Sequence, residues 1–297
     1  MSRRRFTVIH LTPAVITILL APMFAEALRG SGLLDELETP FSRGESPVDT
    51  LYNLAVFSAM FAPTVIALYI LVVKKRINLL KLMFTASLAI AFSGLAEIYM
   101  LCLAEYFGFG DSWLDTVILV VTATTGVLTV IVCLVDVPAF LEASVSLLFG
   151  AGAGALFGGV LPLWSVSAIS LALSFYDIYA VFYGPLKKLV ELESRKSPRT
   201  GNDEGVEKAF LLKGVSVPFL NYRLGLGDVV FYSMLVARAY LYEPVASLTR
   251  AFAVALGILV GLYATLKLLE KRVAMPALPI PMFIGNALLL ASITLNQ

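Results

Sequence analysis

The sequence predicts an all-α polytopic membrane protein, and three observations support this fold class. The chain has 297 residues, of which 59% are hydrophobic and only 14% are charged. Soluble domains carry about 25% charged residues, so this chain lacks the polar side chains that would cover a water-facing surface. Its apolar residues also fall in successive runs near the ~20 residues that a helix needs to cross a bilayer.

Nine apolar segments are predicted to be transmembrane helices, because a lipid-exposed backbone must satisfy its hydrogen bonds internally. The segments are 6–25, 50–73, 79–104, 113–135, 139–160, 162–184, 224–242, 245–268 and 276–295. The first segment also resembles a cleavable signal peptide, since it follows basic residues and ends near "AEA". Its length and its two prolines, Pro13 and Pro22, favour a helix that stays in the membrane.

The chain divides into three predicted regions: 1–184 with helices one to six, a polar loop at 185–223, and 224–297 with helices seven to nine. The loop contains eight basic and five acidic residues, and the polar composition of its middle predicts disorder. Near its end, Val215, Val217 and Phe219 alternate with small or polar neighbours, which indicates a short strand.

The distribution of charges predicts that the N-terminus faces the cytoplasm and the C-terminus faces outside. Arginines at 3–5 and lysines at 74–75 mark cytoplasmic ends, whereas the loop at 26–49 carries six acidic residues against two arginines. Asp136 and Glu142 oppose this orientation weakly. The polar loop then lies in the cytoplasm, and we expect a multi-pass protein of the cell membrane.

Composition excludes several classes of site. A net charge of +1 gives no electrostatic basis for binding nucleic acid. His10 is the single histidine, which excludes His-based triads and zinc sites. Cys102 and Cys133 lie inside apolar runs and form no metal-binding pattern. We therefore expect neither a metal nor a cofactor.

Two aspartates stand in apolar surroundings, Asp177 in segment six and Asp228 at the start of segment seven. Measured from the cytoplasmic side, Asp177 lies about 12 Å deep and Asp228 about 7–15 Å deep. Two carboxylates at one depth in a low-dielectric site share a proton, because both do not ionise readily. One then acts as a base toward water while the other donates to a carbonyl oxygen, as in aspartic proteases.

Residues around Asp228 permit a close approach to its carboxylate. Gly225 and Gly227 flank Leu226 just before the acid, and they allow a backbone that larger side chains would block. Water or a peptide would then reach Asp228. The same glycines are also consistent with the simple start of a helix.

A proline-rich stretch, "MPALPIP" at 275–281, precedes the last segment. Pro276, Pro279 and Pro281 disfavour an ordinary helix start and leave backbone carbonyls unpaired. Such carbonyls are tolerated at membrane depth only where they are buried in protein or line a wet cavity. An extended segment there would hold a substrate as a strand, although a proline-rich helix cap explains the stretch equally well.

Three motifs taken together resemble the presenilin and signal peptide peptidase superfamily. They are "YD" at 176–177, "GLGD" at 225–228 and "PAL" at 276–278, in this order on segments six, seven and nine. Their flanks, "YDIYAVFYGPLKKLVE", "GLGDVVFYSMLV" and "MPALPIP", are more similar to presenilin. The resemblance is dense over 174–193 and 222–285, and elsewhere it depends on the number of segments.

The resemblance implies a nine-helix fold and cleavage of transmembrane segments inside the bilayer. It identifies Asp177 and Asp228 as the catalytic pair, with Pro276, Ala277 and Leu278 shaping the site and seating the substrate. Animal presenilins work within the gamma-secretase complex, but accessory subunits and oligomeric state stay open for this chain. The predicted orientation favours substrates with their N-terminus outside. The loop is shorter than in animal presenilins, so self-cleavage there stays open.

Other interpretations of the same residues stay open. A secondary transporter would use the two aspartates as a proton or cation relay, and a scaffold would keep the motifs without activity. Tyr176, beside the first acid, either forms a hydrogen bond within the site or packs. Glu97 lies near the outer end of its helix, where it reaches water. Glycines at 150, 154 and 158 share a helix face and predict a packing surface.

Overall fold

The computed structural model describes residues 6–74, 76–109, 113–182, 216–220, 222–242, 247–270 and 275–294. Within these ranges the chain forms a short 3-10 helix, Val8–Leu11, ten α-helices and one β-hairpin. The helices are α1 (Thr12–Gly30), α2 (Leu33–Glu36), α3 (Pro47–Val73), α4 (Ile77–Phe107), α5 (Leu114–Leu134), α6 (Ala139–Val160), α7 (Leu163–Phe182), α8 (Leu226–Leu241), α9 (Leu248–Leu269) and α10 (Pro279–Thr294). The strands are β1 (Ser216–Phe219) and β2 (Tyr222–Gly225).

Each of the nine predicted segments coincides with one long helix. In the described part of the chain, seven helical stretches are long and apolar enough to cross a membrane. The remaining two, α8 and α10, have 16 residues each, which is about 24 Å of helix. The chain is therefore a multi-pass integral membrane protein, as predicted, while the count of nine crossings and the orientation stay predictions.

The two shorter helices begin later than the sequence predicted. Helix α8 begins at Leu226 instead of 224, because Leu224 and Gly225 are extended in strand β2. Helix α10 begins at Pro279 instead of 276. A proline suits the first turn of a helix, since its missing N–H would have no partner there.

Helix α8 lies at the centre of the bundle. It contacts α1, α6, α7, α9 and α10, and every residue from Tyr232 to Ala237 is buried. A helix that is buried on all sides belongs to the interior of a large helical protein. The helix that carries Asp228 is thus held by protein and not by lipid.

Glycines on α6 allow it to pack closely against α8. A Cβ atom at Gly154 would lie 2.8 Å from the Met234 nitrogen, and one at Gly158 would lie 2.5 Å from the Met234 oxygen. A Cβ at Gly150 would meet Val229 at 2.9 Å. The predicted small-residue packing surface is therefore confirmed, since only glycine permits this separation of the two helices.

Strands β1 and β2 form an antiparallel hairpin directly before α8. Ser216 pairs with Gly225 and Phe219 with Tyr222. The predicted strand is confirmed, although its first predicted residue, Val215, lies outside the described residues. The prediction of disorder in the polar loop also falls on residues outside those described.

Both faces of β2 are attached to the bundle. The Arg223 guanidinium lies 3.4 Å from the Glu142 carboxylate on α6, and the Tyr222 hydroxyl donates to the His10 carbonyl. Glu142 is only 2% exposed. Glu142 lies in the first turn of α6, so this ion pair attaches the hairpin to the start of that helix.

Candidate active site

Asp177 stands near the end of α7, on a face that carries polar side chains. Ser170 and Ser174 precede it by seven and three residues, and both are buried, so all three share one side of the helix. The Asn286 side chain of α10 donates to the Ser170 hydroxyl at 2.8 Å. This polar contact fixes α7 against α10 two turns before Asp177.

Asp228 is the third residue of α8, and Gly225 is the N-cap with extended dihedral angles (φ −63°, ψ 140°). The main chain of Gly225 forms a hydrogen bond with the Asp228 carboxylate. An acid at this position reaches back to the cap in the same way in a capping box. The local turn therefore contributes to the orientation of the carboxylate.

The structure brings the two aspartates together. Helices α7 and α8 contact each other, and the charge of Asp177 acts on Asp228. Both side chains are half-buried. The two carboxylates therefore stand on neighbouring helices, near enough to interact electrostatically, while their depth in the membrane stays a prediction.

The residues of the "GLGD" motif have different surroundings. A Cβ at Gly225 would lie 3.1 Å from the Asp228 carboxylate oxygen, whereas one at Gly227 would make ordinary contact with Phe231 at 3.8 Å. A side chain at 225 would therefore crowd the Asp228 carboxylate, whereas one at 227 would not. Leu226 packs in an apolar cluster that includes Phe92, which favours a packing role.

The "PAL" motif lies against Asp177. Residues 275–278 are not helical, and the Leu278 N–H donates to the Asp177 carboxylate at 3.1 Å. Pro276 and Leu278 are buried, and Ala277 is half-buried. The irregular backbone that the prolines predicted is present, and it approaches the first acid directly.

Tyr176 lies beside the site, on the side of α3. Its ring meets Phe61 edge-on, with centroids 5.7 Å apart. The two rings line an apolar groove of about 300 Å³ between α3 and α7, together with Phe57 and Leu173. Of the two interpretations of Tyr176, the contacts described here correspond to packing.

Tyr232 is a site residue that the sequence interpretation missed. Its side chain is fully buried, and its hydroxyl donates to the Ala277 carbonyl at 3.2 Å. It follows Asp228 by four residues, which places both on one face of α8. That spacing was a usable signal, but an aromatic residue in an apolar helix usually indicates packing alone.

Tyr222 is the first residue of β2, the strand that leads into the helix carrying Asp228. Burial raises the pKa of its hydroxyl, and the nearby charge of Asp228 raises that pKa further. The hydroxyl therefore stays protonated and donates to the main chain of His10. Within the described ranges, no three His, Cys, Asp or Glu side chains cluster as a metal site would require.

Comparisons with known proteins point to one family. Residues 197–297 match the family model named Presenilin. Presenilin-B of Dictyostelium discoideum is 35% identical over 128 residues, covering 42% of this chain and 25% of that protein. Presenilin hop-1 of Caenorhabditis elegans is 29% identical over 172 residues, covering 42% of this chain and 47% of that protein. The chain thus spans less than half the length of these relatives.

A solved structure of a presenilin family intramembrane aspartate protease has the same fold. The TM-score is 0.63 at 17% sequence identity, and the match covers 96% of this chain and 98% of that one. The predicted resemblance to presenilins is therefore confirmed. The sequence match to the family model covers the C-terminal third of the chain, and the match in fold covers 96% of it.

Proposed function

We propose that this presenilin-like chain is an intramembrane aspartyl endopeptidase that hydrolyses peptide bonds within transmembrane segments. The observation that supports this proposal most strongly is the pair Asp177 and Asp228, which come from neighbouring helices and interact electrostatically. The Leu278 N–H also donates to the Asp177 carboxylate, so the "PAL" motif lies next to the first acid. The presenilin match in sequence and the protease-like fold support the same assignment.

In the proposed reaction the pair holds one proton, since two adjacent carboxylates do not both ionise readily. The ionised carboxylate takes a proton from water as the water oxygen bonds to the carbonyl carbon. The protonated carboxyl gives its proton to the carbonyl oxygen, which yields a neutral gem-diol without a covalent enzyme intermediate.

The second half of the reaction restores the pair. The carboxyl that gained a proton gives it to the amide nitrogen, the C–N bond breaks, and the other carboxylate removes a proton from a gem-diol hydroxyl. The products are a new carboxylic acid and a new amine. Because the pair works with one proton, cleavage should show a bell-shaped dependence on pH.

The remaining predictions form part of this proposal. The chain crosses the cell membrane nine times with its N-terminus in the cytoplasm, and its substrates are transmembrane proteins or peptides with their N-terminus outside. Gly225, Leu226 and Gly227 shape the approach to Asp228, and Tyr176 borders Asp177. Pro276, Ala277 and Leu278 hold the substrate in an extended form, which exposes the carbonyl that a helix would shield.

The experiment is cleavage of a single-span membrane peptide by the purified protein, with product masses read directly. The proposal predicts cleavage inside the apolar segment, abolished in both Asp177→Ala and Asp228→Ala. Cleavage that both variants retain would overturn the assignment of the pair. The transporter alternative, which the comparisons do not favour, predicts instead a proton-coupled flux and no peptide products.

A further inference from the structure

One peptide group connects the two helices that carry the aspartates. The Ala277 carbonyl accepts a hydrogen bond from the Tyr232 hydroxyl of α8 at 3.2 Å. The Leu278 N–H donates to the Asp177 carboxylate of α7 at 3.1 Å. This carbonyl and this N–H belong to the same planar peptide unit. Tyr232 and Asp177 therefore hold opposite sides of one rigid group.

Tyr232 is well fixed for this task. Its side chain has no exposed surface, and it lies one helical turn beyond Asp228 on the same face of α8. The charges of both Asp177 and Asp228 act on its hydroxyl. The hydroxyl is thus close to both aspartates, while its hydrogen bond goes to the Ala277 carbonyl.

The orientation of the peptide group depends on contacts outside any helix. Residues 275–278 are not helical, and the first helical bond nearby is made by the next carbonyl, between Leu278 and Met282. Ala277 is half-buried, and a carbonyl that protein shields from water needs a hydrogen-bond partner. Because the unit is planar, a rotation that frees the Ala277 carbonyl also turns the Leu278 N–H away from Asp177.

We propose that Tyr232 is a positioning residue for the aspartate pair. It fixes the plane of the Ala277–Leu278 peptide, and that peptide in turn fixes the Asp177 carboxylate relative to Asp228. Tyr232 acts through this backbone and not on the substrate. The inference rests on the proposed function, because the alignment of the two carboxylates affects a rate only if they act as a pair.

The test compares Tyr232→Phe with Tyr240→Phe. Phenylalanine fills the same space, so the first variant removes only the hydroxyl. Tyr240 is the matched control, because it lies two turns further along α8 and its hydroxyl donates to Glu26 at 2.9 Å. Thermal melting of both variants in detergent checks that each is folded.

Two readouts follow. Hydrogen–deuterium exchange of a 275–282 peptide should be slow at Leu278 in the wild type, faster in Tyr232→Phe, and unchanged in Tyr240→Phe. In steady-state cleavage, Tyr232→Phe should lower kcat by about threefold to tenfold, the equivalent of one hydrogen bond. Its KM should change less than its kcat, because the Tyr232 hydroxyl bonds to the Ala277 carbonyl and affects the backbone that holds the substrate only indirectly.

The outcomes separate the inference from the proposed function. Normal exchange and normal kcat in Tyr232→Phe would overturn the role of Tyr232 and leave the protease assignment intact. Rapid exchange at Leu278 in the wild type would by itself overturn the role of Tyr232, whatever the variants show. If the wild type cleaves no peptide, the proposed function fails, and slow wild-type exchange that is lost only in Tyr232→Phe still establishes the backbone contact.

Discussion

Helices α8 and α3 are both apolar, but protein surrounds the first and not the second. All residues from Tyr232 to Ala237 on α8 are buried. On α3, large side chains such as Leu51, Met60 and Ile66 are more than half exposed, at 67%, 58% and 57%. Helix α3 packs chiefly on α7, with fewer contacts to α4, so most of its surface is left for lipid.

The difference shows how the site is held. Asp228 stands on α8, which five other helices contact. Asp177 stands on α7, and one of the neighbours of α7 is the largely exposed helix α3. Lipid is as apolar as leucine, so close contact and polar bonds, and not apolarity, decide where a membrane helix stays. The site therefore has a closely packed side at α8 and α10 and a loosely packed side along α3.

The largest expected effect on stability comes from adding a methyl group between α6 and α8. Gly154→Ala would place a carbon 2.8 Å from the Met234 nitrogen, and closer still to the Val230 carbonyl, so the two helices must separate. We expect a folded yield and a melting temperature far below those of the wild type, measured by size-exclusion chromatography and thermal melting.

Gly94→Ala on α4 is the matched control, because a Cβ there meets nothing within 4 Å. Alanine favours a helix over glycine by about 1 kcal/mol, so this variant should be as stable as the wild type or slightly more stable. Equal melting of both alanine variants would contradict the close packing of α6 and α8.

A smaller effect is expected from truncating one side chain on each helix. Leu235→Ala on α8 removes a fully buried side chain and should cost about 1–3 kcal/mol. The cost comes from the cavity that the variant leaves, because leucine gains little from leaving lipid for the protein interior. Ile66→Ala on α3 should cost less than about 0.5 kcal/mol. Reversible unfolding in mixed detergent measures both, and a larger cost at Ile66 would reverse the comparison.

A more local effect concerns the polar attachment of α3. Asn53 is fully buried, and its amide donates to Ser165 of α7 at 2.9 Å and to the Ser42 carbonyl at 2.8 Å. Asn53→Ala should cost about 1–2 kcal/mol and raise amide exchange around Ser42. The exposed Asn78→Ala is the control, and equal exchange in the two variants would show that α3 is held elsewhere.

Hydropathy predicted the location of every long helix, because the length and apolarity of each segment are local properties. The first residues of α8 and α10 were harder to predict from the sequence. Strand β2 pairs with β1 through a turn in which Leu220 has φ 48°, a region that favours glycine and asparagine. The turn carries little sequence signal, so Tyr222–Gly225 was assigned partly to the loop and partly to the helix.

The three motifs lie near one another in the fold, since Leu278 bonds to Asp177 and the charge of Asp177 acts on Asp228, while the catalytic roles of these residues stay a prediction. They did not predict how the residues are connected. The bond from Tyr232 to Ala277 and the ion pair of Glu142 with Arg223 join residues at least 45 positions apart. A tyrosine or a glutamate in an apolar context has several common roles, and only the fold selects between them.

The central claim is that Asp177 and Asp228 act together on one water, and the most direct measurement is the cleavage rate of isosteric variants. Asp177→Asn and Asp228→Asn keep the size of each side chain and remove its charge. Loss of a general acid or base costs about 10²–10⁴-fold in rate, so each variant should lose nearly all product while melting like the wild type. Asp115→Asn, an exposed change on α5, should cleave normally, and wild-type rates in either Asp177→Asn or Asp228→Asn would contradict the account.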